Sequence, residues 1–493
     1  MAAPTYSPRL TASIVAAALF MGSLDSTIIA TALPQMSRAF YVPPVDMSLG
    51  ITIYILVMAA CLPVSTWVAD RLGARNVFAA AIAAFALASA LCGFSHSLPQ
   101  FVAARVLQAM AAALMAPVGN LVLFRTTEKK DLIGVVAIST TPGLIAPVIG
   151  PAIGGFIVTF LAWPWIFFLN LPIAAVGMAL ALRFIPNLKA GERRPFDWRG
   201  FVLTGASLAA LMYGLDRISA SNADRPLPAA LIVLGVGLGV LAIRHSRRAA
   251  HPLISLNALK YKTFAAATLL GGTLVRIPLR SLGFILPLMF QVGMGMSAFK
   301  SGLLLLGYNG GDLLLKSVAS RILRRTGFRS ALVISAALTA LCTATWMLFV
   351  HATPFWLIFG VLLFSGAARS VMFTAMSAMT YADVPRDEIG GATVLANVSN
   401  QVTGGVAIAM GAIILNISAS LRGHGGGGLS LADCRIALAV LAACGLASII
   451  SWLRLPKDAG AAVSGASSRE IEQDAVAAER AEELGAGEPL RAD

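Results

Sequence analysis

Apolar residues fill this chain in blocks rather than in stripes. Runs of about 20 residues, the length that crosses ~30 Å of hydrocarbon at ~1.5 Å per residue, recur between short polar joints. Read as helices, they predict about fourteen spans, at residues 11–33, 47–67, 77–95, 100–124, 132–160, 163–185, 199–217, 227–244, 263–290, 300–320, 330–350, 354–380, 395–420 and 432–453. The first block runs past Asp25 to Pro34, so it reads as an uncleaved helix rather than a signal-peptide core. Composition agrees: 58% hydrophobic residues, 12% charged and a mean hydropathy of +0.81 exceed what one water-soluble core holds. The expected class is an all-α polytopic membrane protein.

The bases set its orientation. Arg71 and Arg75, then Arg125, Lys129 and Lys130, then Arg193, Arg194 and Arg199, then Arg244, Arg247 and Arg248, and finally Arg321, Arg324, Arg325 and Arg329 fall in alternate joints. About 26 of the 37 Lys and Arg lie on that side against about six opposite, which makes it cytoplasmic. An even number of spans then places both termini in the cytoplasm, and the expected location is an inner membrane. The formal charge of +14 is thereby mostly topology. No aromatic stacking platform accompanies it, so nucleic acid is not an expected partner; lipid is. Cys61, Cys92, Cys342, Cys434 and Cys444 show no metal-ligand spacing, and neither disulfide nor metal site is expected.

Two stretches match in sequence and in topological position. Val68-Ala69-Asp70-Arg71 with Gly73-Ala74-Arg75 follows the second span, and Val318-Ala319-Ser320-Arg321 with Gly327-Phe328-Arg329 follows the tenth. Ala103-Ala104-Arg105 in the fourth span is echoed by Ala367-Ala368-Arg369 in the twelfth. The predicted organisation is a six-helix half over 1–185, linkers and an inserted helix pair over 186–262, and a second half over 263–455. The acidic tail, 456–493, reads as cytoplasmic, either disordered or with a short helix capped at Ser467 to Glu470.

Charges inside the blocks are the candidate chemistry. Asp25 stands alone in an apolar run, at an insertion cost of roughly 2.5–3.5 kcal/mol, so it is expected to work. At ~1.5 Å per residue, its depth is close enough to that of Arg105 for the two to meet, either as a proton site or as a static pair fixing two helices. Asp312 and Lys316 lie one turn apart, either a second proton site or a self-neutralising pair. Arg276, Arg280 and Arg369 bring the membrane-depth bases to about five against two acids, which favours a neutral, zwitterionic or anionic amphipath over a simple cation.

Several motifs resemble the fourteen-helix drug:proton antiporters of the major facilitator superfamily. Leu24-Asp25-Ser26-Thr27 through Leu33-Pro34 is similar to the first-helix signature, Ala69-Asp70-Arg71-Leu72-Gly73-Ala74-Arg75 to the loop between helices two and three, and Arg105-Val106-Leu107-Gln108 to the helix-four motif. Gly150-Pro151-Ala152-Ile153-Gly154-Gly155 resembles the helix-five antiporter motif, and Trp165 through Pro172 and Phe196-Asp197-Trp198-Arg199-Gly200 extend the likeness. Thr66, Ala109, Ala146 and Ala30 depart from it at positions that are usually Gly, Gly, Gly and Asn. The resemblance implies a proton-linked role for Asp25 and Arg105. It also implies gating by Asp70, Arg71, Gly73 and Arg75, and an antiport-linked bend at Gly150, Pro151, Gly154 and Gly155; a solvated loop and plain helix packing are the simpler readings of these two segments.

The expected function is proton-coupled export of amphipathic small molecules by alternating access, with no cofactor beyond the proton gradient. One proton crossing ~100 mV supplies ~2.3 kcal/mol, enough for a roughly fifty-fold gradient. The alternative is a dedicated exporter of one metabolite, such as a siderophore or an organic acid. An enzyme would need a convergent nucleophile, metal cluster or acid pair, which the sequence lacks; any periplasmic adaptor is left unknown.

Overall fold

The computed structural model describes residues 7–127, 132–186, 195–219, 226–249, 252–269, 271–385, 388–422 and 429–454. Lys129, Lys130, Arg193, Arg194 and the acidic tail lie outside them. Among the described residues every regular element is helical. The first half contains α1 (Pro8–Phe40), α2 (Ser48–Cys61), α3 (Val64–Leu72), α4 (Ala74–Gly93), α5 (Leu98–Thr126), α6 (Leu132–Phe160), α7 (Trp165–Phe168) and α8 (Asn170–Phe184). An inserted pair follows, α9 (Trp198–Ser219) and α10 (Pro226–Arg248). The second half contains α11 (Lys262–Thr268), α12 (Gly271–Leu288), α13 (Ala298–Thr326), α14 (Phe328–Trp346), α15 (Phe355–Thr380), α16 (Ile389–Leu421) and α17 (Leu431–Leu453).

Among the described residues, eleven helical stretches are long and apolar enough to cross a membrane. The three other predicted spans are helical but less uniform, so the arrangement is compatible with fourteen. The second is divided at Leu62 and Pro63, where a proline cannot donate a helical hydrogen bond. The others, α9 and α13, carry charges within their length, among them Arg199 and Arg217, and Asp312 and Lys316.

The two halves repeat one packing scheme. In the first, α1 packs on α6, α2 on α5, α4 on α5 and α4 on α8; in the second, α12 packs on α16, α13 on α15, α14 on α15 and α14 on α17. Between the halves the scheme crosses over, with α6 against α13 and α2 against α16. The inserted α9 and α10 pack on each other, and α9 reaches both α2 and α16 along this seam. Gly73 and Gly327 close equivalent turns at φ +91° and +74°, a conformation in which a Cβ is strained, so the sequence repeat reflects a repeated backbone need.

One end of the molecule has a core common to both halves. Ile28, Leu33, Met36 and Phe40 of α1 join Phe284, Leu288, Phe290 and Met294 of the second half in a single cluster. Toward the other end the first half closes on itself, through Ile14, Val15, Phe78, Phe85, Val118 and Val122. There the linker carrying Leu256 and Leu259 packs on Ala392 and Leu395 of α16, and Lys260 pairs with Glu388 at 2.6 Å.

Candidate functional site

Asp25 and Arg105, on α1 and α5, meet in the dry interior of the first half. Their side chains are 1% and 0% exposed, and Arg105 Nη1 donates to Asp25 Oδ2 at 2.7 Å. Gln108 Nε2 and Asn170 Nδ2 donate to the other oxygen at 2.9 and 3.1 Å, and both also reach Ser89 Oγ, at 2.7 and 3.1 Å. Three donors thus converge on one carboxyl group, an arrangement that a carboxylate can use in full.

Arg105 is held from its other sides. Its Nη1 also donates to Gln108 Oε1 at 2.5 Å, its Nε points at the Gly50 carbonyl at 3.4 Å, and its guanidinium lies 3.9 Å from the centre of the Tyr54 ring. Nη2 is buried without an acceptor. Gln108 and Asn170 fell within recognised motifs, whereas the contributions of Ser89 and Tyr54 had no signal in a linear reading of the sequence.

The second half contains a related arrangement. Arg369 on α15 lies 4.2 Å from the centre of the Tyr308 ring and donates from Nη2 to Asp312 Oδ2 at 2.9 Å and to Asn309 Oδ1 at 3.1 Å. Tyr54 and Tyr308 each stand nineteen residues before their turn glycines, Gly73 and Gly327, so the arginine-on-tyrosine stack belongs to the repeat. Its acid does not: Asp25 comes from the first helix of its half and Asp312 from the second.

This geometry corrects two expectations. Asp312 pairs across helices with Arg369 rather than along its own helix with Lys316, whose side chain is exposed. A long ammonium side chain extends toward polar surroundings, whereas the planar guanidinium of Arg369 arrives directly at the carboxylate. Arg276, expected in a substrate cavity, is 9% exposed and donates to the Ala267 carbonyl at 2.9 Å, with the Thr268 carbonyl at 3.5 Å. These carbonyls end α11, where the break before α12 leaves them without helical partners. Arg280, one turn along α12, is exposed and reaches Asn400 Oδ1 at 3.4 Å.

The expected gating residues occupy two regions. Gly150 and Gly154 bring α6 against Thr27, Ile28 and Thr31 of α1, while a Cβ on Gly155 would strike the Ala298 carbonyl at the start of α13. On α13, Gly302 faces the Pro151 carbonyl equally closely. Arg71 lies 4.3 Å from the centre of the Trp67 ring, which packs on Phe196 and Trp198 at 4.8 and 6.3 Å, ahead of and at the start of α9. Arg75 donates to Asn76 at 3.3 Å, and Asp70 is engaged nearby at the end of α3. Asp197 accepts from the Gly200 and Leu253 amides at 2.9 and 3.1 Å and from His245 Nε2 at 2.7 Å, tying both ends of the inserted pair to the following linker.

The comparisons with known proteins agree with this architecture. The family model described as Major Facilitator Superfamily matches residues 15–408 and 268–471. MdtD of Pectobacterium atrosepticum, named for multidrug resistance, is 35% identical over 408 residues, covering 82% of this chain and 86% of that protein. MdtD of Serratia proteamaculans is 36% identical over 375 residues, covering 76% and 78%. Among solved structures, the POT family transporter PepTSo superposes with a TM-score of 0.66 at 13% identity, covering 91% of this chain and 97% of its own. A D-xylose-proton symporter gives 0.63 at 14% identity, covering 92% and 99%. With its family model spanning both halves, its repeated packing and its close relatives, this multi-pass membrane protein belongs to the Major Facilitator Superfamily of transporters.

Proposed function

We propose that this protein exports amphipathic small molecules across the cytoplasmic membrane by proton-coupled antiport, with Asp25 as the principal proton carrier. The relatives named for multidrug resistance support drug export. The observation that carries the coupling is the water-excluded cage around Asp25, built by donors from α5 and α8 that are themselves held by Ser89 of α4. A shift of α1 against α5 or α8 separates the carboxylate from its donors, and a hydrated Asp25 then exchanges its proton with solvent. The basic joints assign the end at which the first half packs on itself to the cytoplasm, so opening there receives substrate from inside. Opening the shared core at the other end, about the glycine contacts of α6 with α1 and α13, releases substrate outside.

In proteoliposomes containing a pH-sensitive dye, Asp25→Asn is expected to insert normally and to abolish substrate-elicited proton flux. Wild-type flux from that variant overturns the assignment. A narrower reading, export of one acidic metabolite, draws on the excess of bases in the second half.

A further inference from the structure

The two halves differ in charge at the depth of their acid–arginine pairs. Asp25 and Arg105 neutralise each other out of contact with solvent. In the second half, Arg276, Arg280, Lys316 and Arg369 share one acid, Asp312, among the described residues of the helices α12, α13 and α15. Asp312 and Arg369 remain accessible, at 31% and 12% side-chain exposure.

Of the three arginines, Arg280 is the least compensated. Arg276 is turned onto backbone carbonyls and Arg369 onto Asp312, but among the described residues no carboxylate pairs with Arg280. Its contact with Asn400 on α16, which packs on α12, turns it toward the helices of the second half rather than toward lipid, within electrostatic reach of Arg276 and Arg369. Arg369 adds a buried Nε without an acceptor. An uncompensated cation inside a membrane is costly, and such groups are kept where they meet a partner or a transported solute.

We propose that Arg280 and Arg369 form an anion site that takes a carboxylate or similar oxyanion of an amphipathic substrate, with Asp312 as the internal competitor for Arg369. Two guanidiniums suit the planar, bidentate recognition of a carboxylate, which an ammonium group does not offer. The same bases repel a cationic amphipath, so the site selects by sign as well as by shape. Asp312 keeps Arg369 neutralised while the site is empty and yields it when an anion arrives. This site rests on the transporter reading above, and its test separates the two.

The test uses fluorescein and a cationic rhodamine ester with the same ring system, titrated against the full-length protein in nanodiscs by fluorescence anisotropy. Fluorescein is expected to bind about tenfold more tightly than the rhodamine, the equivalent of one well-placed charge interaction of ~1.4 kcal/mol. Arg280→Gln should remove most of that preference, Arg280→Lys should retain part of it, and Asp312→Asn should strengthen fluorescein binding several-fold. Equal binding of both dyes to the wild type, or an Arg280→Lys variant indistinguishable from wild type alongside an Arg280→Gln that weakens both dyes alike, overturns the site. In proteoliposomes, a pH gradient that moves only the rhodamine supports transport and overturns the anion site. Arg280-dependent fluorescein binding with neither dye moved by the gradient supports the site and overturns proton-driven transport.

Discussion

The acid–arginine pairs of the two halves share a stack of guanidinium on tyrosine and differ in almost everything around it. Around Asp25, both oxygens receive donors and water is excluded, so the pair is complete without a ligand. Around Asp312, the carboxylate pairs with Arg369 and stays accessible while neighbouring bases go without an acid, so the arrangement is incomplete without something else. The difference separates two tasks. A closed cage suits a group whose environment must change sharply when helices move, and an open, positively charged face suits exchange with a solute.

Removing the two arginines should widen that contrast most. Arg105→Ala leaves a carboxylate buried with only amide donors, and the loss of one partner from a buried pair costs about 3–5 kcal/mol. Arg369→Ala leaves Asp312 where solvent can reach it, with a cost nearer about 1 kcal/mol. Reversible unfolding in mixed micelles reads both; equal losses would mean that the two pairs are not sealed differently.

A second effect concerns the end at which the halves are joined. Gly155→Val drives a side chain into the Ala298 carbonyl, and overpacking of this kind costs about 1–3 kcal/mol, borne here by the closed end alone. Gly177→Val on α8 is the control, because nothing lies within 4 Å of its added Cβ. Spin-label distances across the closed end should widen in the first variant and not in the second. Widening in both would detach the effect from the α6–α13 contact.

Much of this contrast was legible in the sequence, because membranes make charge conspicuous. Asp25, Arg105, Asp312 and Arg369 each stood out against apolar neighbours, and the repeated Ala-Ala-Arg and glycine turns announced the two halves. Helix ends were less legible: Pro34 suggested a stop, but α1 continues to Phe40, since proline removes one hydrogen bond while Leu33, Met36 and Phe40 pack into the shared core. Pairing was least legible. Spacing along α13 favours Lys316 as the partner of Asp312, and only the approach of α15 brings Arg369 to it. Ser89 is an ordinary polar residue until α4 brings it beside the two amides that hold Asp25.

The tyrosines offer a finer comparison, since both halves have one. Tyr54→Leu removes the π face beneath a fully buried guanidinium and should cost about 1–2 kcal/mol, whereas Tyr308→Leu, beneath a partly hydrated one, should cost about 0.5–1 kcal/mol. Phenylalanine at either position keeps the ring and should recover most of the stability. Equal costs for the two leucine variants would indicate that hydration does not distinguish the stacks.

A comparably small effect is expected where the inserted pair meets the linker to the second half. Burial pushes the Asp197 carboxyl up, but hydrogen bonds from the Gly200 amide, His245 and the Leu253 amide outweigh it and leave the group below the usual carboxylate range. With the folded pKa depressed, the carboxylate contributes stability in full above its ordinary value of about 4, and that contribution is lost as pH falls through the lower folded value. Asp197→Asn cannot accept all three bonds and should cost about 1 kcal/mol at neutral pH. The gap between wild type and variant should stay constant down to a pH of about 4 and close below it. A gap that persists unchanged below that pH would mean that the carboxylate's charge plays no part in joining the inserted helices to the linker, leaving the aromatic contacts of Trp67, Phe196 and Trp198 as the tie between the first half and the inserted pair.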